Sequence, residues 1–286
     1  MARYHIRHTT TYHYQYPVVA SHHSARLRPL DNESQACESF RLQMDPDTTD
    51  MAERTDYFGN TLHLFSIQEA HDTLAVLSDS RISVTAQPPD LTALPITCGQ
   101  VRTSLADIRQ SNQIDAWQYL YPTDLTPDGP EAKSFGSRFL QDDAPLGIAL
   151  LNMLEAFQLE FEFDPKATEI STPIAEVLTR KRGVCQDFAH AMIASLRACG
   201  LSARYASGYI LTHPKEGEER MTGADASHAW VSVHIPDAGW VDVDPTNRLV
   251  CGDQHARVAY GRDYSDVSML KGAVTGGGNH TIDVAV

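Results

Sequence analysis

Cys185 follows Gly183 and Val184 and opens the segment "CQDFAHAMIASLRACG". Phe188, Ala189, Met192, Ile193 and Leu196 recur on one helical face, with Asp187, His190, Ser195 and Arg197 off it. Cys185 therefore lies in the first turn of a predicted helix. There the unpaired N–H groups and the positive end of the dipole favour a thiolate over a thiol, and Gly183 leaves room for close approach from outside. The same N–H groups suit the oxyanion of a tetrahedral intermediate. The alternative is a cysteine merely packed at a helix start. Cys199 falls at the opposite pole and is expected to be structural.

A thiolate nucleophile needs a histidine to move protons and a third group to orient that histidine. The candidate histidine is 43 residues on, in "SHAWVSVHIPDAGWVDVDPTN". A hairpin closed by residues 234–238 would set Val233 against Gly239, Val231 against Val241 and Ala229 against Val243, an apolar column. Its other face would pair Trp230 with Asp242 and His228 with Asp244, at the Cβ separation of roughly 4.5–5.5 Å typical of facing residues. Asp244 is thus the predicted orienter, with Asp242 one pleat away. A surface hairpin whose histidine simply points outward is the competing explanation. His190 and His234 have no facing carboxylate in this scheme and are assigned to surface or packing roles. Histidines 5, 8, 13, 22 and 23 follow strand alternation without metal-ligand spacing, so neither a metal nor a cofactor is expected.

The elements that must position these residues divide at "QPPDLTALP" (87–95), a proline-rich connection. Residues 1–90 alternate with a period near two in "YHIRHTTTYHY", "NTLHLFSIQEA" and "DTLAVLSDSRISVTA", which predicts an all-β, sandwich-like domain. From residue 96 the pattern becomes helical, weakly in "TSLADIRQ" and "AWQYLY" and strongly in 145–159. "FEFDP" is a candidate short extended piece. "STPIAEVLTRKRG" predicts a short helix with Thr172 as N-cap, Pro173 at the first position and Gly183 as the stop. Strands return in "ARYASGYIL", "HAWVSVHI", "WVDVD" and "HTIDVAV", so residues 96–286 form an α+β core with C-terminal strands. "TGGGN" is expected to be a flexible turn.

The 286 residues are 42% hydrophobic, enough for a core of real size. Against 23 Lys and Arg stand 37 Asp and Glu, a net charge of −14 with no basic stripe, which disfavours nucleic acid and anionic membranes as partners. Five scattered cysteines without CxxC pairs do not resemble a disulfide framework. "MARYHIRHTTTYHYQYP" lacks the apolar run of a signal peptide, and "LGIALLNMLEAF" is too short to span a bilayer. A cytoplasmic location is expected. Edge strands in the β-domain would allow a homodimer.

The blocks "GVCQDFAHAMIASLRACGLSARYASGYI" and "HAWVSVHIPDAGWVDVDPTN" resemble the core of the bacterial transglutaminase-like superfamily, whose members are often described as candidate cysteine proteases. "HTTTYHYQYPV", "ARLRPL" and "DYFGNTLHLFSI" resemble the β-rich N-terminal region that precedes this core, and "GRDYSDV" resembles its tail. The resemblance implies a papain-like α+β fold with Cys185 as nucleophile, His228 as general acid and base, and Asp244 as orienter. It also places Asp187, Arg204, Tyr209 and Trp230 at recurrent positions, with structural or pocket-lining roles. Gln186, Trp230 and Tyr209 are the expected substrate-binding residues, and Arg262 with Asp263 an expected buried ion pair. The implied reaction is attack of the thiolate on a carboxamide or peptide carbonyl to give a thioester. Water as acceptor makes a protease, isopeptidase or amidase, the expected outcome; an amine makes a transglutaminase; a non-catalytic scaffold is the third reading. Either acceptor would enter past "THPKEGEERMTGADA" (212–226). The expected partner is a protein, peptide or small amide substrate.

Overall fold

A 24-residue strand, β1 (Ala2–Ala25), organises the first half of the chain. Its even-numbered residues turn inward at Ile6, His8, Thr10 and Tyr14; past Tyr16 and Pro17 the inward set becomes Val18, Ser21, His23 and Ala25. The change of parity marks a break at which β1 changes partners. Its first half pairs with β5 (His71–Val84), whose outer neighbour is β2 (Gln35–Asp45). Its second half pairs with β4 (Thr61–Ile67), followed by β3 (Asp50–Thr55). The computed structural model describes all residues except 49, 107–113, 168–171 and 212–226.

The second half contains, in order, α1 (Cys98–Ala106), α2 (Ile114–Trp117), α3 (Pro130–Ser137), α4 (Leu146–Glu160), β6 (Glu162–Phe163), α5 (Ile174–Arg180), β7 (Arg182–Gly183) and α6 (Cys185–Ala198). Then come β8 (Ala203–Ile210), β9 (Ser227–Ile235), β10 (Gly239–Asp244), β11 (Leu249–Val250), β12 (His255–Gly261), α7 (Tyr264–Val267), β13 (Leu270–Gly276) and β14 (His280–Ala285). An antiparallel sheet of order β11-β10-β9-β8-β12 carries α6 on one face. The α+β arrangement expected for residues 96–286 is found in residues 96–267. No described helix is long and apolar enough to cross a membrane.

The last two strands depart from expectation. They do not extend the second sheet; they pair with β1, β13 along Val18–Ala25 and β14 along Thr9–Tyr14, giving one seven-stranded first sheet. "TGGGN" is accordingly no reversal. Gly276, Gly277 and Gly278 all have positive φ, where side chains are strained, and the chain stays on β1 through Tyr16 N–H to Gly277 O at 3.0 Å and Gln15 N–H to Asn279 O at 2.9 Å. The glycines absorb the break in β1 while the edge strand continues.

α6 differs from its predicted amphipathic form in being buried on every side from Asp187 to Arg197. Its polar residues survive burial because each has a partner. Ser195 donates to Ala191 O at 2.7 Å, His190 Nε2 accepts from the Tyr264 N–H at 3.1 Å, and Arg197 donates to the carbonyls of Tyr119, Ala203 and Arg262 and to Thr126 Oγ1. Burial pulls the His190 pKa down to about 4. The short helix before it, α5, is preceded by Pro173 as its N-cap, one residue later than predicted, and ends at Lys181 in the left-handed conformation (φ 57°) instead of at Gly183.

Candidate active site

Val184, with extended backbone, precedes α6, and its N–H donates to the Asp187 carboxylate at 2.8 Å. A Cβ on Gly183 would lie 2.7 Å from Asp187 Oδ2, so the glycine makes room for this cap from inside the fold. Cys185 is thus held at the first helical position, half-buried, among N–H groups that have no intrahelical acceptor.

The β9–β10 hairpin brings the other two predicted residues in. Its loop is three residues, Pro236–Ala238, with Asp237 at φ 64° and Gly239 at φ 78°, and Ile235 pairs with Gly239. The register is therefore two residues away from the predicted one: Val233 faces Val241, and Val231 faces Val243. An even offset leaves every side chain on its predicted face, and the diagonal separation is still bridged: His228 Nε2 donates to Asp244 Oδ2 at 2.8 Å. Cys185 lines the same cleft as this imidazole and contributes, with Asp244, to favouring its charged form.

Asp244 is fully buried and saturated with donors. Besides His228, Oδ2 accepts from Asn247 Nδ2 at 2.7 Å and His255 Nε2 at 3.3 Å; Oδ1 accepts from the N–H groups of Thr246 at 2.9 Å and Asn247 at 3.2 Å. Burial alone would raise its pKa, but these bonds, led by that from His228, hold it well below the carboxylate range. Burial likewise opposes charge on His228; the bonds to Asp244 and Cys185 outweigh it and raise the pKa to about 10. The buried carboxylate thus favours an imidazolium at His228. Asp242 cannot serve in place of Asp244 because its Oδ2 is taken by Arg257 Nε at 2.7 Å, Trp230 Nε1 at 3.2 Å and Tyr260 Oη at 3.2 Å.

A cleft of about 290 Å³ opens beside Cys185 and His228. Gln186 lines it. Trp230 does not: it is fully buried, its indole lying between the rings of His228 and His255, because β12 and the Asp242–Arg257 pair cover that face of the sheet. Tyr209 is also behind the wall, its hydroxyl sharing a 2.7 Å hydrogen bond with His8 Nδ1. Arg204 lies between the rings of Trp240 and Tyr260. Arg262 is half-exposed and pairs with Asp266 at 2.9 Å, while the buried Asp263 accepts from Ser265 N–H as the N-cap of α7; the expected Arg262–Asp263 pair is therefore replaced by two separate local contacts. His234, buried, packs on Trp240. Residues 212–226, expected near the acceptor side, lie outside the described residues.

Three contributors were missed in the sequence. Asn247 belongs to the turn "DPTN", where an aspartate collecting the following N–H groups is a recognisable signal. His255 and His8 carry no such signal; each alternates within a strand and reaches the site only through the pairing of distant segments.

Residues 4–83 match the bacterial transglutaminase-like N-terminal region, and residues 140–245 match the transglutaminase-like superfamily. The chain belongs to the transglutaminase-like superfamily. The uncharacterized protein Rv2569c of Mycobacterium tuberculosis is 36% identical over 293 residues, covering 99% of this chain and 91% of its own. A Cytophaga hutchinsonii protein provisionally named a cysteine protease has the same fold, with a TM-score of 0.71 at 20% identity over 99% of this chain and 92% of that one. Over 130 residues the chain is 31% identical to the protein-glutamine gamma-glutamyltransferase of Pseudomonas aeruginosa, a match covering 42% of this chain and 19% of that protein. The transglutaminase-like core with a preceding β-rich domain is the fold expected from the sequence. Membership of this superfamily supports cysteine-based acyl transfer as the general chemistry.

Proposed function

We propose that this protein is a cysteine-dependent acyl-transfer enzyme that cleaves a carboxamide or peptide bond through a thioester on Cys185, with water as acceptor. The observation that carries this reading is the placing of Cys185, at the start of α6, on one cleft with an imidazole anchored on a buried, donor-saturated carboxylate. The pair reacts as thiolate and imidazolium. The thiolate attacks the carbonyl carbon, the first-turn N–H groups of α6 receive the developing oxyanion, and the C–N bond breaks as His228 passes its proton to the departing amine. Neutral His228 then takes a proton from water as the hydroxide attacks the thioester, releasing the acid and restoring the pair. Asp244 keeps Nε2 protonated, so that Nδ1 is the nitrogen turned to the sulfur.

Water is favoured over an amine because it needs no binding site of its own beside the acyl group in a cleft of about 290 Å³. Amine transfer is the second reading, favoured by the likeness to the Pseudomonas aeruginosa glutamyltransferase. The two are separated by incubating the protein with glutamine peptides, with and without a tagged amine, and following ammonia release and label incorporation. Ammonia without label is expected. Loss of both in Cys185→Ala with unchanged stability assigns the reaction to the thiol; a Cys185→Ala protein that retains its partners and phenotype would overturn it in favour of a scaffold.

A further inference from the structure

The cleft is built from two units. Cys185, Gln186 and His228 come from the core, whereas the opposite wall comes from the first sheet: Thr10 and Tyr12 of β1 and their cross-strand partners Val284 and Ile282 of β14, with His8 beside them. Alternate residues on both strands turn the same face toward Cys185. Ile282 and Val284 remain 49% and 50% exposed, and Leu270 is half-buried, so an apolar surface is left open at the cleft. The described lining contains no Asp, Glu, Lys or Arg, although the chain carries 37 acidic and 23 basic residues. Nor does His8 offer a free polar atom: Nδ1 is bonded to Tyr209 Oη and Nε2 to Thr10 Oγ1 at 3.0 Å, and burial brings its pKa down to about 4, leaving it neutral.

We propose that the β1–β14 face is a substrate subsite selecting an uncharged, apolar side chain next to the carbonyl attacked by Cys185; this rests on the acyl-transfer reading above. A charged side chain placed there would lose hydration and find no counter-charge in the described wall. The volume, about 290 Å³, is at the lower end for ligand pockets and suits one residue with its carboxamide better than a long peptide. The first sheet thus supplies selectivity, and the core supplies chemistry.

The test uses the full chain and N-acetyl amino-acid chloromethyl ketones bearing leucine, aspartate or lysine side chains. The Cys185 sulfur displaces chloride to give a thioether, followed by mass spectrometry. The leucine ketone is expected to react at least about tenfold faster than the other two, within the range over which apolar pockets discriminate. Ile282→Lys and Val284→Lys, both at half-exposed strand positions, are expected to reduce that preference and to raise the aspartate ketone rate several-fold. Three ketones reacting within about twofold of one another in the wild type, or a preference unmoved by either substitution, overturns the subsite. Iodoacetamide, too small to fill the wall, is the separate arm. Faster modification of Cys185 in wild type than in His228→Ala, together with indifferent ketones, refutes the subsite alone; equal iodoacetamide rates in the two proteins remove the acyl-transfer reading and the subsite with it.

Discussion

Asp244→Asn tests the electrostatics of the site most directly. Asparagine keeps an Oδ1 for the N–H groups of Thr246 and Asn247, so the turn is retained, but places an NH₂ where three donors, from His228, His255 and Asn247, now converge. His228 must then present Nε2 as an acceptor and carry its hydrogen on Nδ1, toward the sulfur. The rise of the His228 pKa from 6.5 to about 10 corresponds to roughly 5 kcal/mol of preference for the imidazolium, gained from Asp244 and Cys185 against burial. Removing the carboxylate is expected to remove about half of it or more, lowering the pKa by about 2 and the thiolate–imidazolium population by about 10²-fold. The readouts are imidazole NMR titration and the rate of Cys185 alkylation at pH 6. The raised His228 pKa stabilises the fold fully below its unfolded value near 6.5 and ceases to do so as pH rises through about 10; the depressed Asp244 pKa stabilises it above about 3.9 and ceases to do so as pH falls through the folded value. The stability gap between wild type and Asp244→Asn, from urea denaturation, should therefore be widest between about pH 5 and 6.5 and narrow on either side. An imidazole titrating within about half a unit of wild type, or alkylation within about twofold at pH 6, would refute the reasoning.

Two further outcomes follow from burial. In the native protein at pH 7, iodoacetamide should modify Cys185 first and the half-buried Cys37 slowly, its thiol pushed up by burial; Cys98, pushed up to about 11, and the buried Cys199 and Cys251 should react only on unfolding, as peptide mass spectrometry would show. Arg257→Met should destabilise the protein by about 3–5 kcal/mol in urea, because Asp242 would stay buried without its guanidinium, and Asp242→Asn in the same chain should recover much of the loss. A loss below about 1 kcal/mol would show that Trp230 and Tyr260 suffice to hold the carboxylate.

Much of the site was legible because its determinants are local. A glycine, an apolar helical period and a cysteine between them locate the start of α6, and strand parity puts His228 and both aspartates on one face whatever the exact register. The register itself turned on whether Ile235 joins the ladder, which depends on Asp237 accepting a left-handed conformation, and hydrophobic alternation does not report that. Parity also tells which side Trp230 faces, not that Arg257 and Tyr260 seal that side. The polar residues of α6 suggested a solvent face because their partners, Tyr119, Thr126 and Tyr264, are distant in sequence. Least legible was the pairing of residues 270–285 with β1, a contact across nearly the whole chain for which a glycine triplet suggests only a turn.

That long-range pairing explains why the two units are poorly described as a scaffold and an appendage. Tyr209, Ala256 and Val258, from the second sheet, pack in one apolar cluster with Ile6, Val18 and Ile82 from the first and with Leu27 just past β1. β8 also links the sites directly: Gly208 pairs with His228, and its neighbour Tyr209 bonds His8 in the opposite wall. A Cβ on Gly208 would lie 2.0 Å from Ala256 O and 2.7 Å from Trp230 Cη2, so only glycine fits between β12 and the indole at this position. Displacing the first sheet would therefore expose the shared cluster and break the His8–Tyr209 bond beside the histidine that faces Cys185. The connection at 87–95 is a boundary in sequence, while the cleft draws its walls from both sides of it, from β1 on one side and from α6, β9 and β14 on the other.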